Sequence, residues 1–185
     1  MINPDQFESV QRELTNCLQG RFPDLSVKIG NDIHYPGLNV VVTSHKFTGL
    51  LAEQRFHHVV RAIPKDLYEK HFQRGIVWFE LAPGESGKDL MRMPRSTDLT
   101  TADESAIRKT LDEVRFFQKL AREFEGDDDE PSGVSFESTI RVLSKAGLPP
   151  DQVERCCLFM ILKGAYCDAH VMRDLLPKFT ADHAA

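Results

Sequence analysis

The histidines are the first side chains in this sequence that could bind a metal ion. His57 and His58 are adjacent on a predicted helix, so their side chains diverge by about 100° and do not easily bind the same ion. We therefore expect one of them to pack against the protein and the other to contact solvent. His34 lies in a segment dense in turn residues, and we expect it on an exposed loop.

An acidic segment, Asp127–Glu130, separates two predicted helices and resembles a calcium-binding loop in composition. Pro131 stands where such a loop needs an oxygen ligand, and Ser138 takes the place of the bidentate glutamate. The sequence therefore favours a solvated linker, with calcium binding as the alternative.

Four cysteines offer a second type of metal ligand. Cys167 and His170 have the spacing of zinc ligands. Cys156 and Cys157 follow the apolar stripe of a predicted helix, which favours reduced thiols packed in a core over a zinc site. Cys17 belongs to another predicted helix.

The sequence does not indicate an enzyme. It contains no Ser/His/Asp set, no glycine-rich phosphate loop of the P-loop type and no paired carboxylates in a cleft-like context. We therefore expect a non-enzymatic protein without catalytic residues.

Charge and composition argue against strong binding to nucleic acids and against insertion into membranes. Residues 1–94 contain 11 basic and 11 acidic side chains, and residues 95–185 contain 12 and 17, which gives net charges of 0 and −5. Long-range attraction to a polyanion is therefore weak, and we expect at most weak nucleic-acid binding. No apolar run approaches the roughly 20 residues of a membrane span, and no signal-peptide pattern is present. The sequence predicts a cytoplasmic protein that does not bind membranes.

Hydrophobic periodicity predicts the elements of the first half. Residues 4–19 form a helix, residues 25–29 and 38–43 two strands, residues 47–74 two helices broken at Pro64, and residues 76–81 a third strand. This order predicts an α+β fold, α-β-β-α-α-β, whose three-stranded sheet carries its helices on one face. The second and third strands are predicted to be parallel, because helices connect them.

The stretch Phe47–Arg61 follows the second predicted strand. Thr48 is the predicted N-cap of its helix, and Gly49 allows the chain to turn away from the strand. The predicted apolar face consists of Leu51, Phe56, Val59, Val60 and Ile63. The predicted polar face consists of Gln54, Arg55, His57, His58 and Arg61.

Residues 4–82 resemble the BolA family, whose fold is akin to a type II KH domain. The resemblance rests on the element order and on a Phe-x-Gly turn followed, five residues later, by a triplet related to Arg-His-Arg and an aliphatic residue. The matching positions are Phe47, Gly49, Arg55, Phe56, His57 and Val59.

The resemblance implies a regulatory or adaptor protein whose partner is a monothiol glutaredoxin. It also implies a shared [2Fe–2S] cluster, with one ligand in the first strand–strand loop, where His34 lies. Val77 stands where the family usually has the second ligand, a histidine, so His71 is the remaining candidate. We expect the isolated protein to hold no cofactor.

Two alternatives to this interpretation remain open. The first is a nucleic-acid-binding regulator that uses the helix–Pro–helix segment; the same surface could bind a protein partner. Its contact residues would be Arg55, His57, Arg61, Lys65, Lys70 and Arg74. The second is a structural interaction module centred on the C-terminal part, which resembles no family. The predicted organisation is an α+β domain (1–84), a linker (85–100), a small all-α domain (101–180) and a tail (181–185).

Overall fold

The computed structural model of the chain describes residues 2–73, 75–125 and 130–181. The chain is divided into two compact units, Met1–Pro94 and Arg95–Ala185. The first contains the sheet and the second is helical, which confirms the predicted α+β class with a helical part. None of the described helices combines the length and apolar character needed to cross a bilayer.

The N-terminal unit follows the predicted order of elements and adds one helix. Its helices and strands are α1 (Phe7–Gln19), β1 (Ser26–Asn31), β2 (Leu38–Thr43), α2 (Ala52–Val60), α3 (Lys65–His71), β3 (Ile76–Leu81) and α4 (Gly87–Arg92). Short 3-10 turns at Pro4–Gln6 and His45–Phe47 precede α1 and follow β2.

The three strands form one sheet in the order β1-β2-β3. β1 and β2 are antiparallel, with Ser26 opposite Thr43, whereas β2 and β3 are parallel, with Leu38 opposite Ile76. The parallel pairing confirms the prediction, and α2 and α3 supply the connection that such a pair requires.

Apolar side chains pack on both faces of this sheet. Val40 and Val42 of the central strand belong to a large core with Leu14 of α1 and Leu67 of α3. Val41 points the opposite way, because side chains alternate along a strand, and it packs in a smaller core with Leu90 of α4. Helix α4 therefore covers the second face of the sheet, for which the sequence pattern predicts no helix.

The boundary between the two units, at Pro94 and Arg95, lies within the predicted linker, residues 85–100, but residues 87–92 of this segment form helix α4 of the N-terminal unit. Ser86 caps this helix, and its hydroxyl exchanges hydrogen bonds with the amide and the carboxylate of Asp89. Leu90 supplies the buried contact. One buried apolar side chain in a short polar helix is too weak a periodic signal to predict the element from sequence.

The start of α2 also differs from the prediction. Thr48 does not cap it, because the hydroxyl of Ser44 accepts from the amide of Lys46 and begins a 3-10 turn before Thr48. Leu51 occupies the N-cap position, and its amide donates to the side chain of Gln54 at 3.1 Å. Gly49, as expected, lies in the turn with φ +74°.

The helical unit consists of consecutive short helices. They are α5 (Thr101–Glu113), α6 (Phe116–Glu123), α7 (Glu137–Lys145), α8 (Pro150–Leu162), α9 (Asp168–His170) and α10 (Leu176–Ala181), with a 3-10 turn at Ser96–Asp98 and a π-helical turn at Val171–Leu175. The apolar pattern predicts one continuous helix to Phe124, but Arg115 adopts φ +52° and divides it into α5 and α6. The cap of α5 is Thr100 with Asp103.

A buried carboxylate joins two separate parts of the helical unit. Asp168 is fully buried, and it accepts hydrogen bonds from the amides of Ser138 and Thr139 at 2.8 and 2.9 Å and from the Thr139 hydroxyl at 2.7 Å. These amides belong to the first turn of α7, which has no intrahelical acceptors for them. Asp168 therefore caps α7 from about 30 residues further along the chain.

Gly49→Ala is expected to lower the free energy of unfolding by about 1–2 kcal/mol, because alanine is strained at positive φ. Apart from its two chain neighbours, no described residue has an atom within 4 Å of the added methyl group, so the variant tests the backbone conformation. Gly20→Ala is the matched control, since Gly20 also has open space but a φ of −64°. Denaturant unfolding of both variants measures the difference, and equal midpoints would contradict the strained turn.

Candidate functional site

Arg55 is buried, although the sequence predicts it on the surface of α2. Only 1% of the residue is exposed. Its Nε donates to the carbonyl of Leu50 at 2.8 Å, and its Nη1 donates to the carbonyl of Glu80 at 3.0 Å. Both terminal nitrogens contact the carboxylate of Glu85, with Nη2 at 3.0 Å from Oε1. The prediction that Arg55 contacts a partner at the surface is therefore wrong, because its guanidinium donates to acceptors inside the protein.

Glu85 is held from a second direction as well. Its Oε2 accepts from the amide of Ala82 at 2.8 Å. The hydrogen bond from Arg55 is the main cause that lowers the pKa of Glu85, with the Ala82 amide and the charge of Arg55 acting in the same direction against burial. The charged pair therefore connects α2 to the turn that follows β3.

The two faces of α2 are in part reversed relative to the prediction. Gln54 and His58 are buried together with Arg55, whereas Phe56 is 39% exposed, with its ring centroid 6.5 Å from that of Trp78. Apolar periodicity misplaces these faces because buried polar side chains can be stabilised by internal hydrogen bonds. His58 packs and His57 remains partly exposed, as expected for the adjacent pair.

The remaining basic residues of the helix–Pro–helix segment occupy different positions. Arg61, Lys65 and Lys70 are exposed, and His57 is partly exposed. Arg74 lies outside the described residues. Three of the six predicted contact residues are thus fully exposed, one at the C-cap of α2 and two on α3.

The β1–β2 loop is built around one buried side chain, Asn39 of β2. Its Oδ1 accepts from the amides of His34 and Tyr35 at 2.8 and 2.9 Å, and its Nδ2 donates to the carbonyls of Tyr35 and Gly37 at 2.8 Å. Asp32 accepts from the amide of Gly37 at 2.7 Å. These bonds define one conformation for the loop, because they satisfy its backbone groups locally.

This ordered loop exposes large apolar side chains. Tyr35 is 49% exposed and Ile33 is 38% exposed. Between them, the His34 ring lies edge-on to Phe79 with the centroids 5.1 Å apart. A Cβ atom added to Gly87 would be 2.7 Å from the Cβ of His34, so the loop rests directly on the start of α4.

Met91 extends the exposed apolar area. It lies one helical turn after Gly87, on the same side of α4, and it is 45% exposed. We call Ile33, His34, Tyr35 and Met91 the loop surface.

The two predicted cluster ligands, His34 and His71, do not converge. His34 contacts Phe79, which belongs to the smaller core, whereas His71 contacts Phe72, which belongs to the larger core on the opposite sheet face. Burial lowers the pKa of His71, and its Nε2 is buried without a hydrogen-bond partner among the described residues. Val77 has no donor atom. The residues present therefore do not fit a [2Fe–2S] cluster bound through both histidines.

The cysteines of the helical unit lie in the core, as predicted. Cys156, Cys157 and Cys167 are buried and free. Burial raises the pKa of the Cys156 thiol to about 11 and raises that of Cys157 further. Nδ1 of His170 is 3.3 Å from the amide of Tyr166, so this ring has a local contact. No group of three or more metal-binding side chains occurs among the described residues.

The calcium-loop hypothesis concerns a segment of which Asp127–Asp129 lies outside the described residues. Ser138, which replaces the bidentate glutamate, is buried, and its amide donates to Asp168. Its position is therefore explained by the capping of α7.

The residue that shapes the loop surface, Asn39, is not among the site residues predicted from the sequence. The available signal is Asn39, a polar residue inside the β-branched run LNVVVT. An asparagine within a central strand requires internal partners, and a turn-rich segment next to it supplies backbone groups. Glu85 has no comparable signal, because its partner is 30 residues away.

Comparison with models of protein families, with curated proteins and with solved structures gives no match to this chain. The resemblance to the BolA family thus rests on the turn motif and the element order.

Glu85→Gln is expected to lower the free energy of unfolding by about 2–3 kcal/mol at neutral pH, because it leaves the Arg55 charge buried without a carboxylate. The control is Glu69→Gln, which removes an exposed pair with Lys65 at 3.7 Å and should change stability by less than about 0.5 kcal/mol.

The pH dependence tests the same pair. The pKa of Glu85 is lower in the folded protein than in the unfolded chain, so its contribution is complete above about pH 4.3 and is lost as the pH falls through the folded-state pKa. The stability gap between the wild type and Glu85→Gln should therefore shrink in acid. A gap that stays constant would contradict the ion pair.

Proposed function

We propose that this protein is a non-enzymatic adaptor that binds a protein partner through the loop surface. The observation that carries the proposal is that Asn39 holds Ile33 and Tyr35 in exposed positions on an ordered loop. Tyrosine is enriched among residues that dominate binding energy, and a preorganised loop loses little entropy on association. Exposed apolar side chains on a fixed loop therefore favour a protein-binding surface over a loop that only contacts solvent.

The partner class that we propose is a monothiol glutaredoxin. Support comes from the resemblance to the BolA family at the Phe47-x-Gly49 turn and from the position of His34 in the first strand–strand loop. Our proposal does not include cluster retention through both histidines, because His34 and His71 contact opposite sides of the sheet.

Tyr35→Ala is expected to weaken binding to a monothiol glutaredoxin by tenfold or more, about 1.4 kcal/mol, because it removes the most exposed apolar side chain of the loop. Titration calorimetry with both purified proteins measures the affinity.

Ile33→Ala and Ile140→Ala form a matched pair for this experiment. Both residues are exposed isoleucines, at 38% and 43%, but Ile140 lies on α7 of the helical unit. Only Ile33→Ala should weaken the complex. Equal affinities for Tyr35→Ala, Ile33→Ala and the wild type would place the interface elsewhere, and no binding by the wild type would refute this partner class.

Nucleic-acid binding is the second candidate function. The observation in its favour is the exposure of Arg61, at the C-cap of α2, and of Lys65 and Lys70 on α3. Against it, Asp66 and Glu69 lie on the same helix as two of these cations and reduce the local positive charge. Any binding should therefore be weak and should fall steeply with salt.

The triple variant Arg61→Glu, Lys65→Glu, Lys70→Glu is expected to abolish such binding while the fold is retained, because these side chains are exposed. The control triple variant Arg12→Glu, Lys28→Glu, Lys88→Glu has the same change of net charge on other exposed positions of the unit. Fluorescence anisotropy with a labelled oligonucleotide compares the two. Equal loss in both would indicate a net-charge effect rather than a contact surface.

A further inference from the structure

The outer edge of β3 carries backbone groups that no other strand of the sheet uses. β3 is the last strand of the sheet, with β2 on one side of it. The amide of Ser44 donates to the carbonyl of Leu81, so the backbone groups of Leu81 face β2. Residues alternate along a strand of a parallel pair, because each bonds to the neighbouring strand with both backbone groups or with neither. Ile76, Trp78 and Glu80 therefore direct their N–H and C=O groups away from β2.

A side chain closes this edge at one end. The carbonyl of Glu80 accepts from Nη1 of Arg55 at 3.0 Å, in agreement with its outward direction. The N–H and C=O groups of Ile76 and Trp78 have no such partner among the described residues. Ile76, Val77 and Trp78 are each partly exposed. We call these three residues the open edge.

The opposite edge of the sheet, β1, is better protected. Gln11 of α1 reaches this strand, and its Oε1 accepts from the amide of Ile29 at 3.1 Å. Lys28 is exposed on the same strand, and a charged side chain on an edge strand disfavours pairing with another chain. The open edge has no charged residue and consists of β-branched and aromatic residues, which are enriched in strands. Of the two edges, β3 is therefore the one that can accept another strand.

Apolar side chains flank the open edge on both faces of the sheet. Ile76 and Trp78 pack at the margin of the larger core, and Val77 packs at the margin of the smaller one. Phe56 lies next to Trp78 and is 39% exposed. A strand added at this edge would thus gain apolar contacts as well as backbone hydrogen bonds.

We propose that the open edge pairs with the same edge of a second copy of this chain, antiparallel to it, around a two-fold axis at Val77. In this register Ile76 of one copy lies opposite Trp78 of the other, and the N–H and C=O groups of both residues are paired. A β-branched residue opposite an aromatic one is a favourable cross-strand pair. A register shifted toward Glu80 would need the carbonyl that Arg55 already occupies. Because each copy uses the same edge, assembly stops at a dimer.

Sedimentation velocity of the full chain tests the proposal. We expect a dimer that dissociates on dilution, with a dissociation constant of about 1–100 µM, because pairing over a short edge gives an interface at the small end of specific ones. A chain that stays monomeric at about 1 mM would overturn the proposal, and so would species larger than a dimer.

Hydrogen exchange followed by NMR locates the contact in the wild type. The amides of Ile76 and Trp78 should exchange at least about tenfold more slowly above the dissociation constant than below it. The amide of Val77 bonds to β2 in both states and should change little. Dimerisation without slower exchange at Ile76 and Trp78 would overturn the proposal. Protection of these amides only on addition of another protein would also overturn it, and would assign the edge to a strand of that protein.

Charge variants at Val77 test the two-fold axis. Val77→Lys and Val77→Glu each place like charges opposite each other, so each should weaken the dimer by about tenfold or more. An equal mixture of the two should dimerise again, because opposite charges then meet. Ile140→Lys is the matched control, since it adds the same charge at a β-branched residue that is 43% exposed on α7, and it should not change the affinity. Equal weakening in Ile140→Lys and Val77→Lys would overturn the proposal, as would a mixture of folded variants that stays monomeric.

Ile76→Pro tests the edge without adding a charge. It removes an N–H group that points away from β2, and proline is tolerated at the first residue of a strand and at sheet edges. Circular dichroism should show an unchanged secondary structure, and the dimer should be weakened by about tenfold. A folded Ile76→Pro variant that dimerises as well as the wild type would overturn the proposal.

Discussion

The N-terminal unit depends on a buried charge, the guanidinium of Arg55. An unpaired charge in a protein interior is very unfavourable, so every structure that buries this side chain must bring acceptors to it. The acceptors come from the chain before α2, from the end of β3 and from the turn before α4, at Leu50, Glu80 and Glu85. One residue thus sets the relative positions of three segments. Buried ionic pairs often add little stability compared with an apolar substitute, and their value lies in permitting few alternative arrangements.

Much of the N-terminal fold can be predicted from the sequence, because its strands and helices are local patterns. The run LNVVVT and the alternation in residues 25–29 predict two of the strands, and the helical connection predicts the parallel pair. The faces of α2 cannot be predicted in this way. Their orientation depends on Arg55 and Glu85, which are 30 residues apart in sequence, whereas periodicity only ranks residues by their own hydrophobicity.

Other differences have equally specific causes. The break at Arg115 carries no glycine or proline, and a residue of this type rarely adopts the left-handed backbone found there, so local propensity does not predict the break. The loop surface was predictable only as an exposed loop that contains His34. Its shape depends on how Asn39 distributes four hydrogen bonds, and this requires knowledge of which face of β2 the side chain occupies.

The capping of α7 by Asp168 has a consequence for how the protein emerges during synthesis. Chains are made from the N-terminus, and domains generally fold as units once their parts are available. The first turn of α7 lacks the carboxylate that accepts from its amides until Asp168 has left the ribosome, some 30 residues later. The helical unit is thus completed by one of its last segments, and nascent chains that stop before it should remain accessible to chaperones and proteases.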